Sequence, residues 1–438
     1  MGTGMDLSKE YGIVLEGGGA KGAYQIGAWI ALKEAGVKIR GIAGTSVGAL
    51  NGALICMGDE EKARRIWENM SYSRVMDVDD EKMHRFVNHQ MNLGEYTAEL
   101  LTGLSAGGID VTPLRRLIEE NISEEKIHNS RTELFVTTYS VEERKDLTID
   151  LKEIDPGLIT DYLLASAYIF PIFKNEKVEG KTCIDAGAFN NLPVDILLDR
   201  GYKDIITIRI FGVGRTKKVH PPEDTTILSI EPRVNLGNII DFDYRKSRRN
   251  LTIGYYDAKR LILGLSGKIY YIEEKEEECY YLNQFLQLRE ERIELLMGRF
   301  HVGKREQWMR KLTEQILPMV AAELKLEREW TYRELYLAVL EATAKLCRVQ
   351  KYRVYGLEEL QNLSLIHISV IRSDDRVDSL FEVIKEELIG EIRRGGIPAQ
   401  TALDVLMTAK YLERVGDHAV NVAEWAEYSI TGVHKNHE

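Results

Sequence analysis

The chain has 438 residues, 44% of them apolar and 29% charged, with a formal charge of −11 and a pI near 5.5. This is the balance of a globular protein with a sizeable core, and it excludes general nucleic-acid binding, which needs an electropositive face. The length points to about three domains.

Four cysteines, Cys56, Cys183, Cys279 and Cys347, form no C-x-x-C pair, so neither a zinc knuckle nor a thioredoxin motif is expected and a reducing compartment is the simpler reading. Residues 1–11 hold no apolar run of signal-peptide length, and no 18-residue apolar stretch follows. The expected location is cytoplasmic or peripheral to a membrane.

From Tyr11 to Ile210 strand-like and helix-like runs alternate. Ile13–Leu15, Ile39–Ala43, Leu134–Tyr139, Thr182–Ile184 and Ile205–Ile210 read as strands, and Ala23–Ala35, Glu60–Asn69 and Pro113–Asn121 as helices. That alternation predicts an α/β fold with a largely parallel, buried sheet. Gly36 fits a cap at the end of the first helix.

Two glycine-bracketed turns carry the chemistry. Gly44-Thr45-Ser46-Val47-Gly48 follows a strand and precedes a helix, the G-x-S-x-G nucleophile-elbow pattern that pushes a serine hydroxyl outward. Ser46 is the candidate nucleophile. The earlier turn, Gly17-Gly18-Gly19-Ala20-Lys21-Gly22, formally matches G-x-G-x-x-G. A dinucleotide site also wants an acidic residue at the end of the second strand, where this chain has Ala43-Gly44-Thr45-Ser46, and a P-loop wants Gly-Lys followed by Ser or Thr. The better use is an oxyanion hole, with amides of Gly18 and Gly19 aimed at a developing alkoxide. Lys21 either adds positive potential there or is an exposed helix-start lysine.

None of the nine histidines stands out as a general base, since they lie mostly in charged or loop-like context. Asp185 is better placed. It ends the strand Thr182–Ile184 and opens the turn Asp185-Ala186-Gly187-Ala188-Phe189-Asn190-Asn191, on the same C-terminal sheet edge as Ser46.

The glycine block, the G-T-S-V-G elbow and the Asp-Ala-Gly motif, in this order, resemble those of patatin-like phospholipases. The resemblance implies a three-layer patatin-like fold and a serine acyl hydrolase acting on lipid carboxylic esters, of phospholipase A or lysophospholipase type. It implies a Ser46–Asp185 dyad, an oxyanion hole from Gly17, Gly18, Gly19 and Lys21, and no cofactor for the hydrolase. Ala165-Ser166-Ala167 also fits the family, whereas Ala186 stands where the family often has glycine. The expected partner is a phospholipid or other lipid ester, with peripheral membrane contact. Tyr168–Phe173 reads either as an acyl groove or as plain core, and Arg245-Lys246-Ser247-Arg248-Arg249 either as a headgroup contact or as a solvated helix face.

Beyond residue 213 long charged helices dominate. Leu363-Ser364-Leu365-Ile366-His367-Ile368-Ser369-Val370 reads as a strand in a helical neighbourhood, and Leu363–Ile368 resembles translated sequencing-adapter sequence, as a join between unrelated chains would. Two helices follow, Asp375–Arg394 and Ala399–Ile430, separated by Gly395-Gly396-Ile397-Pro398. The second contains Tyr411-Leu412-Glu413-Arg414-Val415-Gly416-Asp417-His418, which resembles the signature helix of PhoU-family phosphate-signalling regulators. Glu413 and Asp417 share one helix face, and the resemblance implies a metal there; a salt-bridged or solvated pair is the other reading. The organisation expected is a catalytic domain at 8–212, a helical accessory region at 213–362, an abrupt junction at 363–374 and a two-helix PhoU-like fragment at 375–438. The alternative to the hydrolase is a non-enzymatic PhoU-like regulatory or metal-binding fusion.

Overall fold

The computed structural model describes residues 4–87, 108–168, 173–174, 176–303, 307–398 and 400–410. It divides into two compact units, Met1–Ser266 with Tyr352–Val354, and Gly267–Lys351 with Tyr355–Glu438.

The first unit is built on an eight-stranded mixed sheet. In chain order its main elements are β1 (Glu10–Leu15), α1 (Ala23–Glu34), β2 (Lys38–Thr45), α2 (Val47–Met57), α3 (Glu60–Glu68), α4 (Thr112–Asn121), β3 (Glu133–Ser140), β4 (Lys145–Asp150), α5 (Ile159–Ala167), β5 (Lys177–Val178), β6 (Lys181–Asp185), α6 (Val194–Asp199), β7 (Asp204–Ile208), β8 (Thr226–Ile230) and α7 (Tyr244–Leu263). The strand order is β5-β6-β3-β2-β1-β7-β8, with β4 also against β3. The pairings β8–β7, β7–β1, β1–β2 and β2–β3 are parallel, and β3–β4, β3–β6 and β5–β6 are antiparallel. Both faces of the sheet are covered. Ile13 and Leu15 enter one core while Val14, between them, enters another with Leu197 and Ile205, the period-2 alternation of a strand buried on both sides.

All five expected strands and three expected helices are present. Three strands are additional. β4 is only partly buried and reads Lys-Asp-Leu-Thr-Ile-Asp, with charge too evenly spread to stand out. β5 has two residues. β8 follows a proline-rich loop at the point where the composition changes, yet packing continues past that point because α7 lies along α1.

The α1–α7 crossing depends on two glycines. A Cβ on Gly27 would lie 1.9 Å from the Leu251 carbonyl oxygen, and one on Gly254 would lie 1.9 Å from that of Tyr24. The backbones therefore touch.

The second unit is helical, with two cores of its own. One gathers Tyr270, Tyr281, Leu340 and Tyr355, and the other Phe285, Ile293, Leu312 and Ile316. Buried Glu341, on the helix α8 (Tyr332–Leu346), accepts the backbone N–H groups of Lys268, Ile269 and Tyr270 at 3.0, 2.7 and 2.8 Å. Residues 363–370 are not a strand: they lie within one continuous helix, α9 (Leu357–Arg394). A short apolar run is ambiguous between strand and helix, and here helical residues on both sides decide it. Gly395, at φ 68°, ends α9 in the left-handed conformation, and residues 400–410 are again helical.

Gly254→Ala is expected to lower stability by about 3 kcal/mol, since the methyl group has no room, whereas Gly298→Ala, whose Cβ position is open, should raise it by up to about 1 kcal/mol. Urea denaturation of the two variants checks the opposite signs.

Candidate active site

The register of the sheet brings two loops to one point. β2 runs parallel to β3 and its last residue, Thr45, pairs with Thr137. β6 runs antiparallel to β3 and its last residue, Asp185, pairs with Thr138. Two strands thus arrive from opposite directions at neighbouring positions along β3, and the residue after Thr45 meets Asp185. The threonines stitch this junction: Thr45 Oγ1 lies 2.7 Å from Thr137 Oγ1, and Thr138 Oγ1 donates to the carbonyls of Ala165 or Ile184 at 3.1 and 2.9 Å.

Ser46 sits between β2 and α2 at φ 55°, ψ −126°, a conformation costly for a residue with a Cβ. The flanking glycines make the turn possible. A Cβ on Gly44 would lie 2.4 Å from the Gly48 carbonyl oxygen, and one on Gly48 would lie 2.3 Å from that of Leu15. The strained residue is held from outside, because its N–H donates to Ser166 Oγ at 2.9 Å. Its own carbonyl accepts the Ala49 amide at 2.9 Å, starting α2.

The Ser46 side chain lies beside the Asp185 carboxyl and favours its ionised form. Asp185 accepts the Gly187 N–H at 2.7 Å, and its own N–H donates to the Tyr168 carbonyl at 2.9 Å. Burial pushes the Asp185 carboxyl up to about 6, outweighing Ser46 and the bond from Gly187, which favour the ionised form. At neutral pH it is an ionised carboxylate with more than ordinary basicity.

The first glycine turn packs against this pair. A Cβ on Gly17 would lie 3.2 Å from the Cβ of Ser46. The Gly17 N–H donates to the Asn191 carbonyl, and Asn191 Nδ2 donates back to the Gly17 carbonyl, both at 3.0 Å. Gly17 therefore anchors the turn. The amides of Gly18 and Gly19 have no acceptor among the described residues. Gly19 has φ 55°, and a Cβ there would lie 2.1 Å from the Ile239 carbonyl oxygen. Lys21 is directed elsewhere: its ammonium donates to the Phe211 carbonyl at 2.8 Å, and burial lowers its pKa despite nearby Glu16.

A buried polar network, not foreseen from the sequence, fixes both ends of the turn to the serine's helix. Asn51 Nδ2 donates to the Gly22 carbonyl and to Gln25 Oε1, each at 2.9 Å. Gln25 Nε2 donates to the Glu16 carbonyl at 2.7 Å, and Trp67 Nε1 to Asn51 Oδ1 at 2.9 Å. The signal available in the sequence is that Gln25 and Asn51 are polar residues inside two otherwise apolar helices.

Ser46 and Gly19 border an apolar pocket lined by Leu50, Leu54, Ile66, Leu114, Ile118 and Phe242, with Phe173 also on its wall. Of the segment Tyr168–Phe173, Tyr168 is buried and residues 169–172 lie outside the described residues. The basic run 245–249 is tied down only in part: Lys246 pairs with Asp241, Arg248 donates to the Glu68 carbonyl, Arg249 to that of Asn235, and Ser247 is buried, while Arg245, Arg248 and Arg249 are exposed on the helix face. Glu413 and Asp417 lie outside the described residues. No described helix is long and apolar enough to cross a membrane.

Comparison with known proteins finds two families along the chain. Residues 13–198 match the model of patatin-like phospholipases, and residues 360–426 match that of the PhoU domain. The chain is 27% identical over 204 residues to the neuropathy target esterase sws of Drosophila melanogaster, covering 45% of this chain and 13% of that one. It is 43% identical over 61 residues to a PhoU homologue of the phosphate-specific transport system of Deinococcus radiodurans, covering 14% of this chain and 29% of the relative. Among solved structures, VipD from Legionella pneumophila is 14% identical, with a TM-score of 0.39 over 95% of this chain and 89% of that one. Residues 13–198 are thus similar to patatin-like phospholipases and residues 360–426 to the PhoU domain, and the chain spans only a small part of the long esterase it matches.

A carboxyl whose pKa is higher folded than unfolded favours the folded state at low pH, and that advantage is lost as pH rises from the ordinary value of 3.8 through about 6. Asp185→Asn is therefore expected to stabilise the protein relative to wild type by about 2 kcal/mol more at pH 7.5 than at pH 4.5. Paired urea denaturation curves at the two pH values measure it.

Proposed function

We propose that the first unit is a serine hydrolase of lipid carboxylic esters, with Ser46 as nucleophile and Asp185 as general base. The observation that carries this reading is the placing of a strained Ser46 beside a desolvated Asp185 at the edge of an apolar pocket. The names of its relatives, an esterase and phospholipases, point the same way. In this reading the pocket takes the acyl chain, because its walls supply contact area without competing polar groups.

Asp185 takes the hydroxyl proton as Ser46 Oγ attacks the ester carbonyl. The carbonyl oxygen becomes an oxyanion held by the Gly18 and Gly19 amides. Collapse expels the alcohol, which receives the proton from Asp185. Water, deprotonated by the same carboxylate, then attacks the acyl-serine; collapse expels Ser46 Oγ, which takes the proton back from Asp185, and the carboxylic acid leaves. A carboxylate is weak against a serine hydroxyl unless it is close and desolvated, and Asp185 has both properties. Lys21 acts as a brace on the loop at Phe211 and adds long-range positive potential.

Labelling of the intact protein with a fluorophosphonate, followed by mass spectrometry of the Ser46 peptide, tests the reading. The rate is expected to rise with pH and reach half its maximum near pH 6, where Asp185 ionises. Ser46→Ala should not label at that peptide, and Asp185→Asn should slow labelling by roughly 10²–10⁴-fold. A folded wild-type protein that does not label sinks the proposal.

A further inference from the structure

The loop after β7 has features that the chemistry above does not use. Phe211 is 47% exposed and Val213 is 77% exposed. Phe189, on the turn after Asp185, is 40% exposed and stacks on Tyr139 with ring centroids 3.9 Å apart. Single exposed apolar residues are ordinary, but Phe211 also has φ 47°, a left-handed conformation that costs an aromatic residue free energy and persists only where the surroundings enforce it.

Here they do. The buried Glu16 carboxylate accepts the N–H groups of Ile210 and Phe211 at 2.7 and 2.9 Å, and Lys21 grips the Phe211 carbonyl. A Cβ on Gly212 would lie 1.8 Å from the Gly17 carbonyl oxygen, so the loop abuts the first glycine turn. Its far end is tied to the Asp185 turn, with the Arg215 N–H donating to the Gly187 carbonyl at 3.0 Å and the Asn191 N–H to the Arg215 carbonyl at 2.6 Å. The loop is a rigid rim that holds two apolar side chains in water beside the Ser46–Asp185 site.

Its charge runs against that of the chain. Residues 209–218 carry Arg209, Arg215, Lys217 and Lys218 and no acidic residue, in a protein of net charge −11. Lys217 is paired with Asp146 and Asp195, and Arg209 lies over the Phe211 ring at 4.8 Å. Arg215 and Lys218 are exposed and make no ion pair among the described residues. Apolar side chains beside unpaired cations suit a surface that offers hydrocarbon and negative charge together.

We propose that Phe189, Phe211 and Val213, with Arg215 and Lys218, form a docking rim that seats the first unit on an anionic lipid bilayer next to the Ser46–Asp185 site. The proposal rests on the lipid-ester reading for its purpose, but its test is independent of catalysis. The full chain is floated with vesicles of phosphatidylcholine alone and of equimolar phosphatidylcholine and phosphatidylglycerol. Binding is expected to the anionic vesicles and to weaken with salt.

Arg215→Ala with Lys218→Ala should lower that affinity about 25-fold, from about fivefold per cation removed. Phe211→Asn with Val213→Ser, in which Asn tolerates the left-handed conformation, should lower it at least tenfold. Both double variants should hydrolyse a dissolved short-chain ester at the wild-type rate, which also shows that they are folded. Ser46→Ala should float like wild type, so that loss of catalysis and loss of docking remain distinguishable. Wild-type protein that stays with neither vesicle, as a rim built for a protein partner would, overturns the proposal. So do double variants that float as well as wild type.

Discussion

The first unit depends on one constraint of register, the arrival of β2 and β6 at Thr137 and Thr138 of β3. A parallel neighbour and an antiparallel neighbour share the same side of β3, one after the other, so their C-terminal ends face each other. No long loop is needed to bring the two proposed catalytic groups together. The strand ends do it, and the hydroxyls of Thr45, Thr137 and Thr138 lock the junction at hydrogen-bond distance. A one-residue slip of either strand would turn its side chains to the opposite face. The same register that buries the sheet on both sides therefore fixes the site.

The strain at Ser46 has visible compensation. Its φ of 55° is set by close contact of Gly44 with Gly48 and of Gly48 with Leu15, and the Ser166 hydroxyl satisfies its amide. On the other side Asn191 clasps Gly17 in both directions, while Asn51 and Gln25 bind the two ends of the glycine turn to the helix that Ser46 begins. Each group is buried and paired, and leaving one unpaired would cost about 1–3 kcal/mol. Such a network specifies one arrangement of three loops rather than adding much net stability.

What the sequence made legible follows from which features are local. The elbow, the glycine turn and the strand ending at Asp185 are short patterns whose physics lies within five or six residues, and they could be read directly. Their meeting is expected from the rule that the C-termini of parallel strands share an edge, but it arises otherwise, since β6 runs antiparallel and its C-terminus meets that of β2 head-on along β3. The antiparallel half of the sheet was hidden because β4 and β5 are short and partly exposed, so neither alternation nor apolar content separates them from loop. Lys21 illustrates the limit on side chains: its place in the glycine motif is clear, but nothing local shows that its ammonium turns to Phe211. The segment 363–370 shows the reverse error, since Leu, Ile and Val in a short run fit either period until the flanking helix is known.

The buried glutamate at position 16 connects chemistry and surface in a way that pairwise contacts hide. It follows β1 directly, its own carbonyl is held by Gln25, and its carboxylate holds the amides of Ile210 and Phe211. Burial raises its pKa, while those amides, Arg209 and Lys21 act in the other direction. Both amides donate to one oxygen, Oε2, while Oε1 faces the Arg209 guanidinium at 3.8 Å, so a glutamine could keep the two amide bonds but would turn its donor NH2 toward a cation. The glycine turn and the exposed loop are then two ends of one braced assembly. A lipid surface pressing on Phe211 and Val213 would load Gly17 and Gly187 through backbone contacts already at their closest approach, and such a rim can orient the proposed site toward a bilayer without a hinge.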